Sequence, residues 1–263
     1  MNYVLKNKYY EATVSTLGAE MISLKNKDGK AIYKGKEYAM RQHGFARNSE
    51  FEVVSADDES LVLLLSSSET TLAQYPFDFK FTIAYALDGE KITLEARVEN
   101  TGSEILPYSF GWHPGFALFT DGGQDIEDYA VKFDNVKEVT WVKFYNDFDV
   151  PNDYLPYPTP NSEYKLCEEE IYKYDTMVFK GAGNKVILKA DGHPYELDFS
   201  WTENIPALCI WKSASHETKF VCIEPWTHDT IRGVTSNHWE EREAHRLNPG
   251  EKEDFKYTLK FSF

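Results

Sequence analysis

No stretch of proline, glycine or serine parts two hydrophobic blocks, and no fixed-period repeat is present, so residues 1–263 read as one domain. No apolar run approaches the roughly 18 residues of a membrane-spanning helix. The opening Met1-Asn2-Tyr3-Val4-Leu5-Lys6 is too polar for the core of a signal peptide. Cysteine is scarce as well. The three residues Cys167, Cys209 and Cys222 cannot all pair, and two of them sit in apolar strand patterns, which argues against a disulfide framework. They read as reduced, buried thiols, and the expectation is a soluble cytoplasmic protein. Basic residues are also short, 28 against 43 acidic ones, for a formal charge of −15. Such a surface repels phosphate backbones and anionic membranes, so neither nucleic acid nor lipid is expected as a partner.

Several chemical signatures are missing too. The seven histidines invite a metal site, and His228, His238 and His245 lie near Asp229. Yet no two histidines share the i, i+4 spacing of a helical zinc site and no cysteine pair has ligand spacing, so no metal is expected. No Ser or Cys lies in a nucleophile elbow, and no Gly-rich strand–helix turn offers a phosphate cradle. Helical periodicity is nearly absent. Only Trp239–Arg246 suggests a short helix, with Glu240, Glu241 and Glu243 on a solvated face.

What the chain has is alternation. Aromatic residues make up 15% and are spread throughout. Ile92, Leu94, Ala96 and Val98 alternate with Thr93, Glu95, Arg97 and Glu99, and Asp88-Gly89-Glu90 joins this run to Phe79–Leu87 as a hairpin. Further turns are expected at Lys27-Asp28-Gly29-Lys30 and at Tyr33-Lys34-Gly35-Lys36. Residues 41–51 read as an ordered loop. Residues 146–164, with Pro151, Pro156, Pro158 and Pro160, read as a long irregular excursion. Many short strands and hardly a helix predict an all-β fold, a large antiparallel β-sandwich.

Four segments could carry chemistry. Phe220-Val221-Cys222-Ile223-Glu224-Pro225-Trp226 reads as a buried strand that delivers one carboxylate and stops at a proline. Desolvation between Ile223 and Trp226 would raise the pKa of Glu224 and suit it to general-base work. A strand-end glutamate in a salt bridge fits the same stretch. His113 lies among aromatics, between Gly111 and Pro114, where burial would lower its pKa and a carboxylate would raise it, although a core histidine bonded to a carbonyl fits too. His43 and Arg47 flank Gly44, which lets the backbone approach something closely, although a plain polar loop fits them too. Asp175 enters an apolar strand, where it also reads as a turn residue.

These elements occur in a telling order. His43-Gly44-Phe45-Ala46-Arg47 is followed by Pro107-Tyr108-Ser109-Phe110-Gly111-Trp112-His113-Pro114-Gly115-Phe116, then Tyr174-Asp175-Thr176-Met177-Val178-Phe179, then Val221-Cys222-Ile223-Glu224-Pro225-Trp226. Together they resemble the aldose 1-epimerase (galactose mutarotase-like) superfamily, nearest to its LacX-type branch, over nearly the whole chain. The resemblance implies a β-supersandwich that binds a pyranose, a hexose being the expected small-molecule partner. It also implies a cofactor-independent isomerase of α and β anomers. It makes Glu224 the base and His113 the acid. His43 becomes a sugar contact and Asp175 a holder of sugar hydroxyls, while Trp112, Trp226 or Phe45 could stack on the sugar. One departure is visible: family members carry a longer excursion before the His-Gly motif, with an arginine that reaches the site. Here Leu24 leads to Tyr33 through only a turn, and Arg47 is the partial substitute. Two other readings stay open. One is a non-catalytic carbohydrate-binding protein on the same fold. The other is a hexose-6-phosphate 1-epimerase drawing on Arg41, Arg47 and Lys212.

Overall fold

In the computed structural model the alternation over Phe79–Asp88 and Lys91–Asn100 closes into an antiparallel hairpin, paired from Phe79 opposite Asn100 to Asp88 opposite Lys91. Gly89 turns it at φ +57°, a backbone conformation that glycine adopts without steric cost. The structure describes residues 1–16, 30–39, 43–120, 125–143, 152–174, 176–213, 219–228 and 244–263. The chain folds as two compact units. The first is Met1–Gly111 with Tyr145–Pro151 and Thr230–Thr258, and the second is Trp112–Phe144 with Asn152–Asp229 and Leu259–Phe263.

In the first unit the hairpin extends into a meander, Glu52–Ala56 and Ser60–Ser66 adding on in antiparallel register. Period-two patterning decides which side is dry: Leu61, Leu63, Leu65, Phe79, Phe81 and Ile83 are buried. Phe81 meets Phe110 at 5.3 Å between ring centroids, and Phe45 meets Tyr75 at 5.6 Å. Burial of each such ring contributes about 1.5–3 kcal/mol relative to exposure. The hairpin expected at Tyr33–Lys36 is present, with Lys34 at φ +47° and Gly35 at φ +76°. Two positive central φ values are the signature of a type I′ turn, whose twist matches the flanking strands. The turn expected at Lys27–Lys30 lies outside the described residues, apart from Lys30.

The second unit contains two antiparallel layers. One is a six-stranded sheet in the order Gly115–Ala117, Phe220–Trp226, Ala207–Trp211, Thr176–Lys180, Glu138–Lys143, Asp153–Pro158. The other holds Glu163–Lys165, Tyr129–Phe133, Lys185–Ala190 and Glu196–Trp201, paired in that order. Aromatic rings fill the space between them. Phe179 meets Tyr164 at 5.2 Å and Phe133 at 6.3 Å, and Phe116 meets Phe199 at 5.8 Å. The all-β antiparallel sandwich read from the sequence is the architecture observed.

Three local expectations are corrected. Residues 146–164 are not wholly irregular, because Asp153–Pro158 is a strand paired with Glu138–Lys143. It lies at the edge of its sheet, where proline leaves no central ladder bond unmade. Two short helices, Glu69–Leu72 and Glu169–Tyr174, were not foreseen, since so few turns cannot display a 3.6-residue period. Glu69–Leu72 is set by a capping box in which Ser68 and Thr71 bond reciprocally. Most of the helix expected at Trp239–Arg246 lies outside the described residues. Its end, however, belongs to the strand His245–Leu247, paired with Leu106–Tyr108 and tied by a bond from His245 Nδ1 to Glu253 at 2.9 Å.

Candidate active site

The strand Phe220–Trp226 is buried from Val221 onward, and its pleat sorts its residues to two sides. Val221 and Ile223 alternate with Cys222, Glu224 and Trp226. On one neighbour Ile210 stands opposite Ile223, and Cys209 stands opposite Glu224. On the other neighbour Phe116 stands opposite Val221, and Gly115 opposite Cys222. Phe116 packs on Phe199 of the second layer, so Val221, Ile223 and Ile210 face the inter-layer core. Glu224, Cys222, Cys209 and Gly115 therefore share the other face of the sheet.

The register fixed at Gly115 and Cys222 carries on toward Trp112, whose backbone N–H donates to the Pro225 carbonyl at 3.3 Å. His113 is thereby set level with Glu224. Its Nε2 lies 3.2 Å from Glu224 Oε1, with side-chain exposures of 22% for the histidine and 1% for the glutamate. The carboxylate is thus the buried member and the imidazole the one solvent can reach. Cys222 joins them: its Sγ, a His113 ring nitrogen and a Glu224 oxygen all lie within 4.8 Å of one another. A buried carboxylate touching an imidazole is the minimal equipment for moving protons between two adjacent atoms of a ligand.

The other candidates are placed as follows. Trp112 sits beside His113 in sequence, but its ring stands edge-on to Phe199 at 5.8 Å, on the opposite side of the segment. Trp226 is buried, two residues beyond Glu224 and on the same side of the strand. Asp175 lies outside the described residues, just before the strand Thr176–Lys180. His43 and Arg47 belong to the first unit. His43 holds φ +64°, a left-handed conformation uncommon for a residue with a Cβ and found preferentially at functional loops. Arg47 is exposed in the short helical turn Ala46–Asn48. Arg41 lies outside the described residues.

The aldose 1-epimerase family model matches residues 32–260 of this chain. The chain belongs to the aldose 1-epimerase family. It is 24% identical over 267 residues to the LacX protein of Lactococcus lactis subsp. lactis, a match covering 86% of this chain and 88% of that protein. Among solved structures it superposes on the galactose mutarotase related enzyme from Lactobacillus acidophilus with a TM-score of 0.89 at 26% identity, over 99% of this chain and 97% of that one. A galactose mutarotase-like protein from Lactobacillus casei has the same fold, with a TM-score of 0.85 at 17% identity, over 99% of this chain and 100% of that one.

Two features of this aldose 1-epimerase family member escaped the sequence reading. Spacing rules for metal ligands search along the chain, so they could not see Cys222 meeting His113 across two strands. Lys212, in the sequence a candidate cation for a sugar phosphate, has a fully buried side chain. Its ammonium lies 4.5 Å from the centre of the Tyr172 ring, and the Tyr172 hydroxyl donates to Glu127 at 3.0 Å. Burial pushes the Lys212 pKa below its ordinary value, with the Glu127 charge acting the other way. By alternation Lys212 lies on the side of its strand away from Cys209 and Glu224. Among the described residues, no helix is long and apolar enough to cross a membrane.

Proposed function

We propose that this chain interconverts the α and β anomers of a hexose, with Glu224 as general base and His113 as general acid. The 3.2 Å contact between them carries the reading. In a cyclic hemiacetal the anomeric hydroxyl and the ring oxygen are bonded to the same carbon, so the base and the acid must work at neighbouring positions. Glu224 takes the proton of the C1 hydroxyl while His113 Nε2 gives one to the ring oxygen, and the C1–ring oxygen bond breaks to leave an open aldehyde. Rotation about C1–C2 turns the other face of the carbonyl toward the ring hydroxyl. Closure then runs in reverse: His113 recovers its proton from that hydroxyl and Glu224 returns one to the C1 oxygen. Protons and electrons balance over the cycle without an added group. Each positioned acid or base contributes typically about 10²–10⁴ in rate.

Family membership supports the reaction class. His43 and Asp175 enter this reading as sugar-binding candidates through the family pattern, with Arg47 as a substitute cation and Trp226 as a stacking ring; Trp112, whose ring stands against Phe199, does not. The position of Lys212 favours a neutral sugar over a sugar phosphate, since this cation is packed against Tyr172 and lies on the other side of its strand from Glu224. The short connection from Leu24 to Tyr33 favours a second reading, a carbohydrate-binding protein without turnover. Polarimetry of freshly dissolved α-glucose and α-galactose separates the two. The expected result is decay of optical rotation well above the buffer rate. Calorimetric sugar binding with no acceleration would establish the second reading instead.

A further inference from the structure

The proposed acid–base pair has a thiol beside it. A His113 ring nitrogen, Cys222 Sγ and a Glu224 carboxylate oxygen lie within 4.8 Å of one another, and His113 Nε2 is 3.2 Å from Glu224 Oε1. All three come from one face of two adjacent segments, at positions held by the register between Gly115 and Cys222. The residue opposite Cys222 is a glycine, and even a Cβ added there would stop 3.7 Å from Sγ, so that strand puts no side chain over the sulfur. Zinc–nitrogen and zinc–oxygen bonds of about 2.0–2.2 Å and a zinc–sulfur bond of about 2.3 Å place tetrahedral ligand atoms about 3.4–3.6 Å apart. The His113–Glu224 edge is already near that length, and small side-chain rotations bring in the others.

We propose that His113, Cys222 and Glu224 form a zinc-binding site, with a fourth position left to water or solute. Imidazole, thiolate and carboxylate together suit a borderline-soft divalent ion and discriminate against magnesium and calcium, which take oxygen ligands. Binding converts the Cys222 thiol to a thiolate and releases its proton to solvent, so affinity rises with pH. The ion claims the two groups that the mutarotase reading uses, and bound zinc therefore blocks proton transfer. That inhibitory consequence rests on the proposed function; the binding itself does not.

The test uses cobalt(II) as a spectroscopic stand-in for zinc, added to the chelator-treated full-length protein without sugar. The expected result is one ion per chain, with the near-ultraviolet charge-transfer band of a cobalt–thiolate bond, displaced by zinc. Cys222→Ser should lose that band and bind zinc at least about tenfold more weakly. Cys167→Ser and Cys209→Ser should keep it. Cobalt binding to the wild-type protein without a thiolate band overturns the assignment and needs no variant to fold. So does a band that survives in Cys222→Ser or disappears in Cys209→Ser. In a separate arm, zinc should inhibit wild-type mutarotation, and Cys222→Ser, measured against its own metal-free rate, should need about tenfold more zinc for half-inhibition. If the metal-free protein shows no mutarotation, the functional reading fails, and the cobalt spectrum still decides the metal site.

Discussion

His113 Nε2 and Glu224 Oε1 stand 3.2 Å apart because two antiparallel segments hold them at one level, Gly115 opposite Cys222 and the Trp112 N–H on the Pro225 carbonyl. Backbone hydrogen bonds, rather than flexible side-chain reach, thus set the distance between the proposed acid and base. That is the form of preorganisation acid–base chemistry requires, since a group misplaced by about 1 Å can cost 10²-fold in rate.

Glu224→Gln keeps the side chain's shape and its capacity to bond a hydroxyl, but it cannot accept a proton. The expected outcome is a fall in mutarotation kcat of at least about 10²-fold. Titration calorimetry should show hexose binding within a few-fold of wild type. A folded variant with unchanged kcat would leave Glu224 as a structural residue of the strand.

His113→Asn retains a polar group next to Glu224 and removes the acid. Here kcat should drop by about 10²–10⁴ while KM shifts by no more than a few-fold, the pattern of an interaction made in the transition state. Loss concentrated in KM would make His113 a sugar contact rather than the proton donor.

Lys212 offers a test of stability. Its folded-state pKa lies below the ordinary lysine value because burial disfavours the charge. Between the folded pKa and the unfolded value of about 10.4, the unfolded chain holds more protons than the folded one. The lysine therefore makes stability rise with pH across that window. Urea unfolding at alkaline pH values stepped up toward about 10.4 should show this rise in the wild type. Lys212→Met should flatten it. An equal slope in both proteins would assign the pH dependence elsewhere.

Phe179 is fully buried and contacts the rings of Phe133, Tyr157 and Tyr164. Truncating it opens a cavity between the two layers of the second unit. Phe179→Ala should destabilise the protein by about 3–5 kcal/mol, read as a lower urea midpoint. A loss below about 1 kcal/mol would mean that the layers close over the gap.

Alternation within a strand is a local property, set by the period of two, and this is why the sequence by itself specified so much of the sandwich. The hairpin from Phe79 to Asn100 and the turn at Lys34 and Gly35 were legible from their own residues. The glutamate strand was legible too, from its four apolar positions, but not its end: the ladder continues through Pro225 to Trp226, so Glu224 lies inside the strand rather than at its end. The motifs around His113 and Glu224 also marked the family. Which residues share a face across strands is not a local property. It depends on register, and register is settled by the summed packing of whole sheets. Tertiary structure alone put His113 level with Glu224 and near Cys222, and packed Lys212 against the ring of Tyr172. It also made a strand of Asp153–Pro158, whose prolines signal a loop until an open sheet edge is there to receive them.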